Sequence, residues 1–280
     1  MRFFISVFAF LAAVSLFSNI PIVFAQDSCP LTLEEVKKDK AYEHIEKNAY
    51  KSLQAESYMI CLYGINGKLQ EETPYLGKKL NGTKKTYYEN GKLYSERSFI
   101  NGKQQGTQKI YYKSGRIADE TPYLDGIIEG ITKTYYESGT IMSETTFLNG
   151  KREGTSKHYS EKGTLLFETP FVDDMENGIQ KDYHKDGTVA SEISWVSGNM
   201  EGIAKLYNKT GRLYAELIYH ANVKEGVANF YGNNREKLIT ITFAKDSPVN
   251  GLWHNADGTT RPLTKQELTN WEKFVYAHCY

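Results

Sequence analysis

Thr83-Lys84-Lys85-Thr86-Tyr87-Tyr88-Glu89-Asn90-Gly91-Lys92-Leu93-Tyr94-Ser95-Glu96-Arg97-Ser98-Phe99-Ile100-Asn101-Gly102 carries two runs rich in Thr, Tyr, Phe and Ile, residues that favour extended backbone. Asn90-Gly91 between them supplies the two φ > 0 residues of a type I′ turn, so the stretch predicts a β-hairpin. With that two-residue turn, Glu89 faces Lys92, Tyr88 faces Leu93, Tyr87 faces Tyr94 and Lys85 faces Glu96. Side-chain alternation then puts Lys85, Tyr87, Tyr94 and Glu96 on one face, and Tyr88, Leu93 and Phe99 on the other. The Lys–Glu pair, exposed and directly opposed, is worth roughly 0.2–1 kcal/mol.

The stretch recurs every 24 residues. Glycine returns at 67, 91, 115, 139, 163, 187 and 211, and in a second series at 82, 106, 130, 154, 178, 202 and 226. Tyrosine holds Tyr63, Tyr87, Tyr111, Tyr135, Tyr159, Tyr183, Tyr207 and Tyr231, and an aromatic column runs from Tyr75 through Phe99, Tyr123, Phe147, Phe171, Trp195 and Tyr219 to Phe243. Glutamate fills positions 72 to 216 and lysine 85 to 205 at the same spacing. One hairpin is marginal alone, whereas stacked hairpins bury ring against ring. The fold class is therefore all-β: an open β-meander solenoid of about eight 24-residue hairpins with short helical caps at both ends.

Pro74, Pro122 and Pro170 stand 48 residues apart, so two hairpin types alternate, with the proline expected at a strand end or bulge. Asp174 and Asn222 replace the second residue of the Asn-Gly turn between units. Arg235 replaces the hairpin glycine, where Gly232-Asn233-Asn234 offers another turn, and residues 252–258 read as a truncated last strand. Four segments follow: a signal peptide over 1–25, an N-terminal helical cap over 26–56, the repeat array over 57–258 and a C-terminal helical cap over 259–280. The caps rest on helical spacing of Tyr42, Ile45, Ala49 and Leu53, and of Leu268, Trp271, Phe274 and Val275. Thr32 with Glu35, and Thr264 with Glu267, have the form of capping boxes. Such helices would cover the exposed strand edges at the two ends.

Arg2, the apolar run Phe3 to Phe17, and Val23-Phe24-Ala25 before Gln26 have the order of an export signal cleaved after Ala25. The alternative, an uncleaved anchor, is interrupted by Asn19 and Pro21. The expected location is periplasmic or secreted, with no integral membrane span after processing. The 34 basic and 34 acidic residues exclude a basic nucleic-acid binder.

A unit of the form Tyr-Tyr-x-x-Gly-x-Leu-x-x-Glu-x-x-aromatic-x-x-Gly-x-x-x-Gly resembles the bacterial MORN-variant repeat, the type seen in YwqK-like antitoxin proteins, over residues 59 to 251. The resemblance implies non-enzymatic hairpins with protein-binding roles, including neutralisation of a toxin. It supplies no catalytic residue.

Enzymes build an active site once, whereas nearly every polar residue here recurs as a column. The six histidines show no metal-ligand spacing, and there is no nucleophile elbow or phosphate-binding glycine loop. No catalytic, cofactor or metal residues are expected. The reading is a repeat scaffold that binds a protein partner through an aromatic-rich sheet surface, with Tyr87, Tyr111, Tyr135, Tyr159, Tyr183 and Tyr207 as the candidate binding column. Cell-envelope polysaccharide, a glycan held by the aromatic rows, is the other candidate ligand.

Three cysteines in an oxidising compartment leave at least one outside an intramolecular pair. Sixteen strands at ~4.8 Å separate the ends of an open array by roughly 75 Å, far beyond disulfide reach for Cys279. The expected bridge is Cys29 to Cys61, pinning the first helix over the first strand, with Cys279 free or bridging two molecules. The alternative is three unpaired thiols.

Overall fold

The computed structural model describes residues 20–24 and 57–280, which fall into two compact units, one ending at Thr140 and one beginning at Ile141. In each, successive strands pair antiparallel. The first unit runs through Ser57–Tyr63, Leu69–Leu76, Gly82–Tyr87, Leu93–Ile100, Lys103–Tyr111, Ile117–Leu124 and Gly130–Tyr135. Ile20–Phe24, inside the segment read as an export signal, lies as a strand against Ser57–Tyr63, with Ile20 opposite Tyr63 and Phe24 opposite Met59. The second unit is itself a meander, from Ile141–Leu148 to Ser247–His254 and Thr260–Pro262, ending in helices Lys265–Thr269 and Trp271–Cys279. The chain is an open β-hairpin solenoid with short helical elements, as the repeat predicts. The N-terminal cap expected over 26–56 lies outside the described residues.

The turns exchange the roles expected of them. At Asn90-Gly91 only the glycine is left-handed (φ 83°). Gly91 N donates to Tyr88 O and Tyr88 N to Lys92 O, both at 2.8 Å, while Asn90 Oδ1 accepts from Lys92 N at 3.0 Å. This is a three-residue loop with a glycine bulge, so Tyr87 faces Leu93 and the expected Tyr87–Tyr94 pair does not form. A second irregularity beside Tyr87 leaves Tyr94 over and brings Lys85 back opposite Glu96. Tyr88 and Tyr94, expected on opposite faces, meet edge to face at 5.1 Å.

Two-residue type I′ turns join the hairpins instead. Asn101 and Gly102 have φ 52° and 85°, and Ile100 faces Lys103. Asp174 and Asn222 keep the same left-handed backbone at φ 68° and 71°. Arg235 adopts φ 64° at the glycine's own position and closes the turn from its N to Gly232 O at 3.1 Å, so the turn does not move upstream.

Most of the second glycine series sits where the strand after a type I′ turn breaks, as between Met175–Glu176 and Gly178–Tyr183, whereas Gly106 lies within the continuous strand Lys103–Tyr111. Gly178 has φ 118° and stands opposite Trp195; Gly82 and Gly154 face Phe99 and Phe171 in the same way. Pro170 packs on the break, its O accepting from Asn177 N at 2.9 Å, which is why a residue without an N–H is tolerated inside Leu165–Val172.

The largest core lies in the second unit. Ala215, Leu217, Ala228, Phe230, Ile239, Ile241 and Phe243 are buried under Leu263, Val275 and Cys279. Trp271 reaches Phe243 at 5.1 Å and Phe230 at 6.0 Å, and Trp253 meets Phe274 at 5.8 Å. Alanines at 215 and 228 leave room for the helix, and each large apolar side chain buried here contributes roughly 1.5–3 kcal/mol. Thr264 and Glu267 do form a capping box, and Arg261 grips Glu267 at 2.8 and 3.0 Å, holding its carboxyl down at about 2. The helices therefore cover a sheet face rather than the edge. Beyond Ser247–His254, which is a full strand rather than a truncated one, the three-residue strand Thr260–Pro262 follows, its proline unable to donate outward.

Candidate functional site

Each hairpin is latched to its predecessor by the tyrosine column. Tyr87 donates to Glu72 at 3.0 Å, Tyr111 to Glu96 at 2.8 Å and Tyr135 to Glu120 at 2.8 Å. In the second unit Tyr159, Tyr183, Tyr207 and Tyr231 donate to Glu144, Glu168, Glu192 and Glu216 at 3.2, 2.8, 2.8 and 2.6 Å. Burial first, then the carboxylate, pushes the hydroxyls of Tyr111, Tyr183 and Tyr207 up to about 12. Lysine lies in register between two glutamates, as Lys181 does between Glu168 and Glu192. Its ionic contacts are looser: Lys85 Nζ is 3.9 Å from Glu72, in the preceding hairpin rather than its own, and Lys109 is 3.8 Å from Glu120. The hydroxyls of the candidate binding column are thus engaged between hairpins.

A second rung joins hairpins through the backbone. Tyr88 Oη donates to Tyr111 O at 2.5 Å, Tyr112 Oη to Tyr135 O, and His184 Nε2 lies 3.0 Å from Tyr207 O. At the end of the second unit, Arg212 bonds Gly232 O at 2.6 Å and Cys279 O at 2.9 Å, tying the last helix turn to the sheet.

The Glu–Tyr face also carries side chains that nothing covers. Leu76, Ile100 and Leu124 in the first unit, and Leu148, Val172 and Val196 in the second, are 42–58% exposed and spaced by 24 residues beside the type I′ turns. Ile179, Ile203 and Val227 extend the second row across the neighbouring strands, similarly exposed. Strand alternation places them with the glutamates, so each unit presents an aliphatic ridge beside its Glu–Tyr ladder.

On the opposite face of the second unit lies an open groove of about 350 Å³, lined by residues including His158, Phe167, Phe171, Glu176, Gln180 and Trp195. His158 stacks on Phe167 at 4.3 Å and the Arg152 guanidinium sits 4.1 Å over the Phe171 ring. Trp195 Nε1 is buried without an acceptor.

Repeats of this period and ladder match a known family model. Residues 80–101, 104–125, 128–149, 152–173 and 176–196 match the MORN repeat variant. Five tandem MORN-variant repeats thus lie within residues 80–196. No curated protein matches the chain. Among solved structures it is similar to TcdB2-TccC3 without its hypervariable C-terminal region, at 11% identity and a TM-score of 0.20, over 75% of this chain and 14% of that one. It is also similar to TcdB2-TccC3-Cdc42, at 11% identity and a TM-score of 0.16, over 90% of this chain and 17% of that one. The chain thus spans a small fraction of both, and at these scores neither likeness bears on its function.

The five matched repeats indicate a repeat scaffold. Among the described residues no group of three His, Cys, Asp or Glu side chains is placed to hold a metal, and no helix is long and apolar enough to cross a membrane. Cys61 is fully buried and disulfide-bonded, and Cys279 is a buried free thiol that burial pushes up to about 11. Cys29 lies outside the described residues. The aliphatic ridge escaped the sequence reading although its 24-residue spacing is as regular as that of tyrosine. Pairing each Leu, Ile or Val with the glutamate four residues earlier reveals it, because that offset fixes a shared face.

Proposed function

We propose that the chain is a non-enzymatic MORN-variant scaffold that docks a protein partner along the aliphatic ridge. The carrying observation is the row Leu148, Val172 and Val196 with Ile179 and Ile203, apolar side chains left open on a face otherwise lined with Glu and Lys. Contiguous exposed apolar surface rimmed by polar groups is the signature of a protein-interaction site. Stacked hairpins repeat that surface at fixed intervals, which suits an extended partner. The tyrosines contribute rigidity beside the ridge rather than the contact itself.

Export by residues 1–25 would place this scaffold in the periplasm or outside the cell, and mass spectrometry of the envelope-fraction protein should find Gln26 first. The docking reading is tested with Val172→Glu plus Val196→Glu. Both positions are exposed, so stability should change by no more than about 0.5 kcal/mol. Proteins retained from envelope extract by the wild-type chain should be lost from the double variant. Retention of the same set by both would overturn the ridge as the docking surface.

A further inference from the structure

The groove on the other face is built from departures from the repeat. Trp195 is the one tryptophan in its aromatic column. His158 and Phe167 stand where other hairpins carry Thr134 and Asp182, and Ser143 and Ser191. These three residues and Phe171 come together because Phe167 faces His158, Phe171 faces Gly154, and Trp195 faces Gly178 two strands on. Further along, the same face is covered by the C-terminal helices over alanine and isoleucine. Here it stays open, and its floor is polar. Ser156 and Thr169 are buried, with Thr145 Oγ1 and Ser156 Oγ 2.8 Å apart.

We propose that this groove is a carbohydrate-binding subsite, taking a neutral pyranose whose apolar ring face stacks on Trp195 and whose hydroxyls meet Trp195 Nε1, Gln180 and Glu176. Aromatic walls require a flat apolar surface on the ligand. The indole N–H can only donate, and a carboxylate such as that of Glu176 can only accept. A ligand meeting both within one groove must therefore carry donors and acceptors on the same unit, which a sugar hydroxyl does. An extended proline-rich peptide, the other ligand class that stacks on aromatic grooves, offers acceptor carbonyls but no proline N–H. The formal charges of the lining are nearly balanced. Arg152 is paired with Asp174, bonding its carbonyl at 2.6 Å, and burial lowers the His158 imidazole, favouring its neutral form. The groove shares no residue with the aliphatic ridge, so the two sites stand or fall separately.

The test is isothermal titration of the full chain with maltohexaose, cellohexaose and chitohexaose, and with decaproline as the competing class. Titrations run to about 5 mM, where a millimolar site is more than half filled. At least one hexasaccharide should bind and perturb tryptophan fluorescence. Trp195→Phe should weaken it at least tenfold and abolish the fluorescence change. Phenylalanine already occupies the column at 99, 147, 171 and 243, so Trp195→Phe keeps the fold, and an unchanged circular dichroism spectrum checks this. Tyr183→Phe, on the ladder face, should bind as wild type. Binding of decaproline alone, no binding by any hexasaccharide, or binding undiminished in Trp195→Phe would overturn the proposal.

Discussion

Tyr183 Oη lies 2.8 Å from Glu168 Oε1, a carboxylate fifteen residues back in the preceding hairpin. The contact is diagonal. Glu168 faces Lys181 across the strands, and Tyr183, two residues further on, comes up on the same side. Hairpin after hairpin repeats this geometry, so cohesion between neighbours rests on a neutral hydroxyl donating to a charged acceptor in addition to the backbone ladder.

Removing one hydroxyl should therefore loosen one junction. Tyr183→Phe is expected to cost about 1 kcal/mol in urea unfolding, the usual net worth of such a bond. Tyr231→Phe lies two hairpins on, so the double variant should lose close to the sum. Unchanged midpoints in both single variants would mean that the hydroxyls contribute nothing.

The same bonds set the alkaline limit of stability. The folded tyrosines hold their protons to about 12 at Tyr111, Tyr183, Tyr207 and Tyr231, against an ordinary value of 10.0. A raised folded value contributes stability that is complete below pH 10 and is lost as pH climbs through the folded value. Stability should be level on approaching pH 10 and fall between about 10 and 12. Phenolate absorbance should rise together with loss of the β-sheet signal, and a tyrosine titration finished by pH 11 with the sheet intact would contradict this.

Gly178 and Gly202 occupy equivalent breaks but have different neighbours. A Cβ on Gly178 would meet Pro170 Cγ at 3.0 Å, whereas on Gly202 the nearest atom is Ser194 Oγ at 3.9 Å. Both are left-handed, so alanine strains each by about 1 kcal/mol or more. Gly178→Ala should be the worse by thermal melting, and Pro170→Ser should narrow the difference.

Thiol chemistry should distinguish the cysteines. Cys279, buried and with its thiol pushed up, should resist alkylation at pH 8 in the native chain and react once it is unfolded. Non-reducing peptide mapping should recover Cys61 bridged to Cys29. A peptide joining Cys61 to Cys279 would refute that pairing.

Periodicity made the solenoid readable because a column repeated without exception can only mean a repeated environment. Local turn geometry was less readable. Asn90-Gly91 and Asn101-Gly102 are the same dipeptide, yet the first forms a type I turn with a bulge and the second a type I′ turn. The Lys85–Glu96 register came out as expected only because the bulge beside Tyr87 compensates the longer loop. The tyrosine column was visible, but its engagement with glutamate was not, since that bond crosses from one hairpin to the next and no spacing within one unit encodes it. The groove at Trp195 was hidden for the opposite reason: a search for recurrence passes over residues that occur once.

The ladder also has a direction. Every carboxylate is answered from the hairpin that follows it, and the last, Glu216, is answered by Tyr231. One period later the column offers Thr240, whose hydroxyl lies 3.2 Å from His254 Nε2, and Asn255 stands in place of tyrosine. Such a polymer carries its own terminator: a unit spliced into the interior inherits both a donor and an acceptor, while one appended after Thr240 finds no carboxylate to grip. Array length can thus change by internal duplication while the terminal hairpin is preserved.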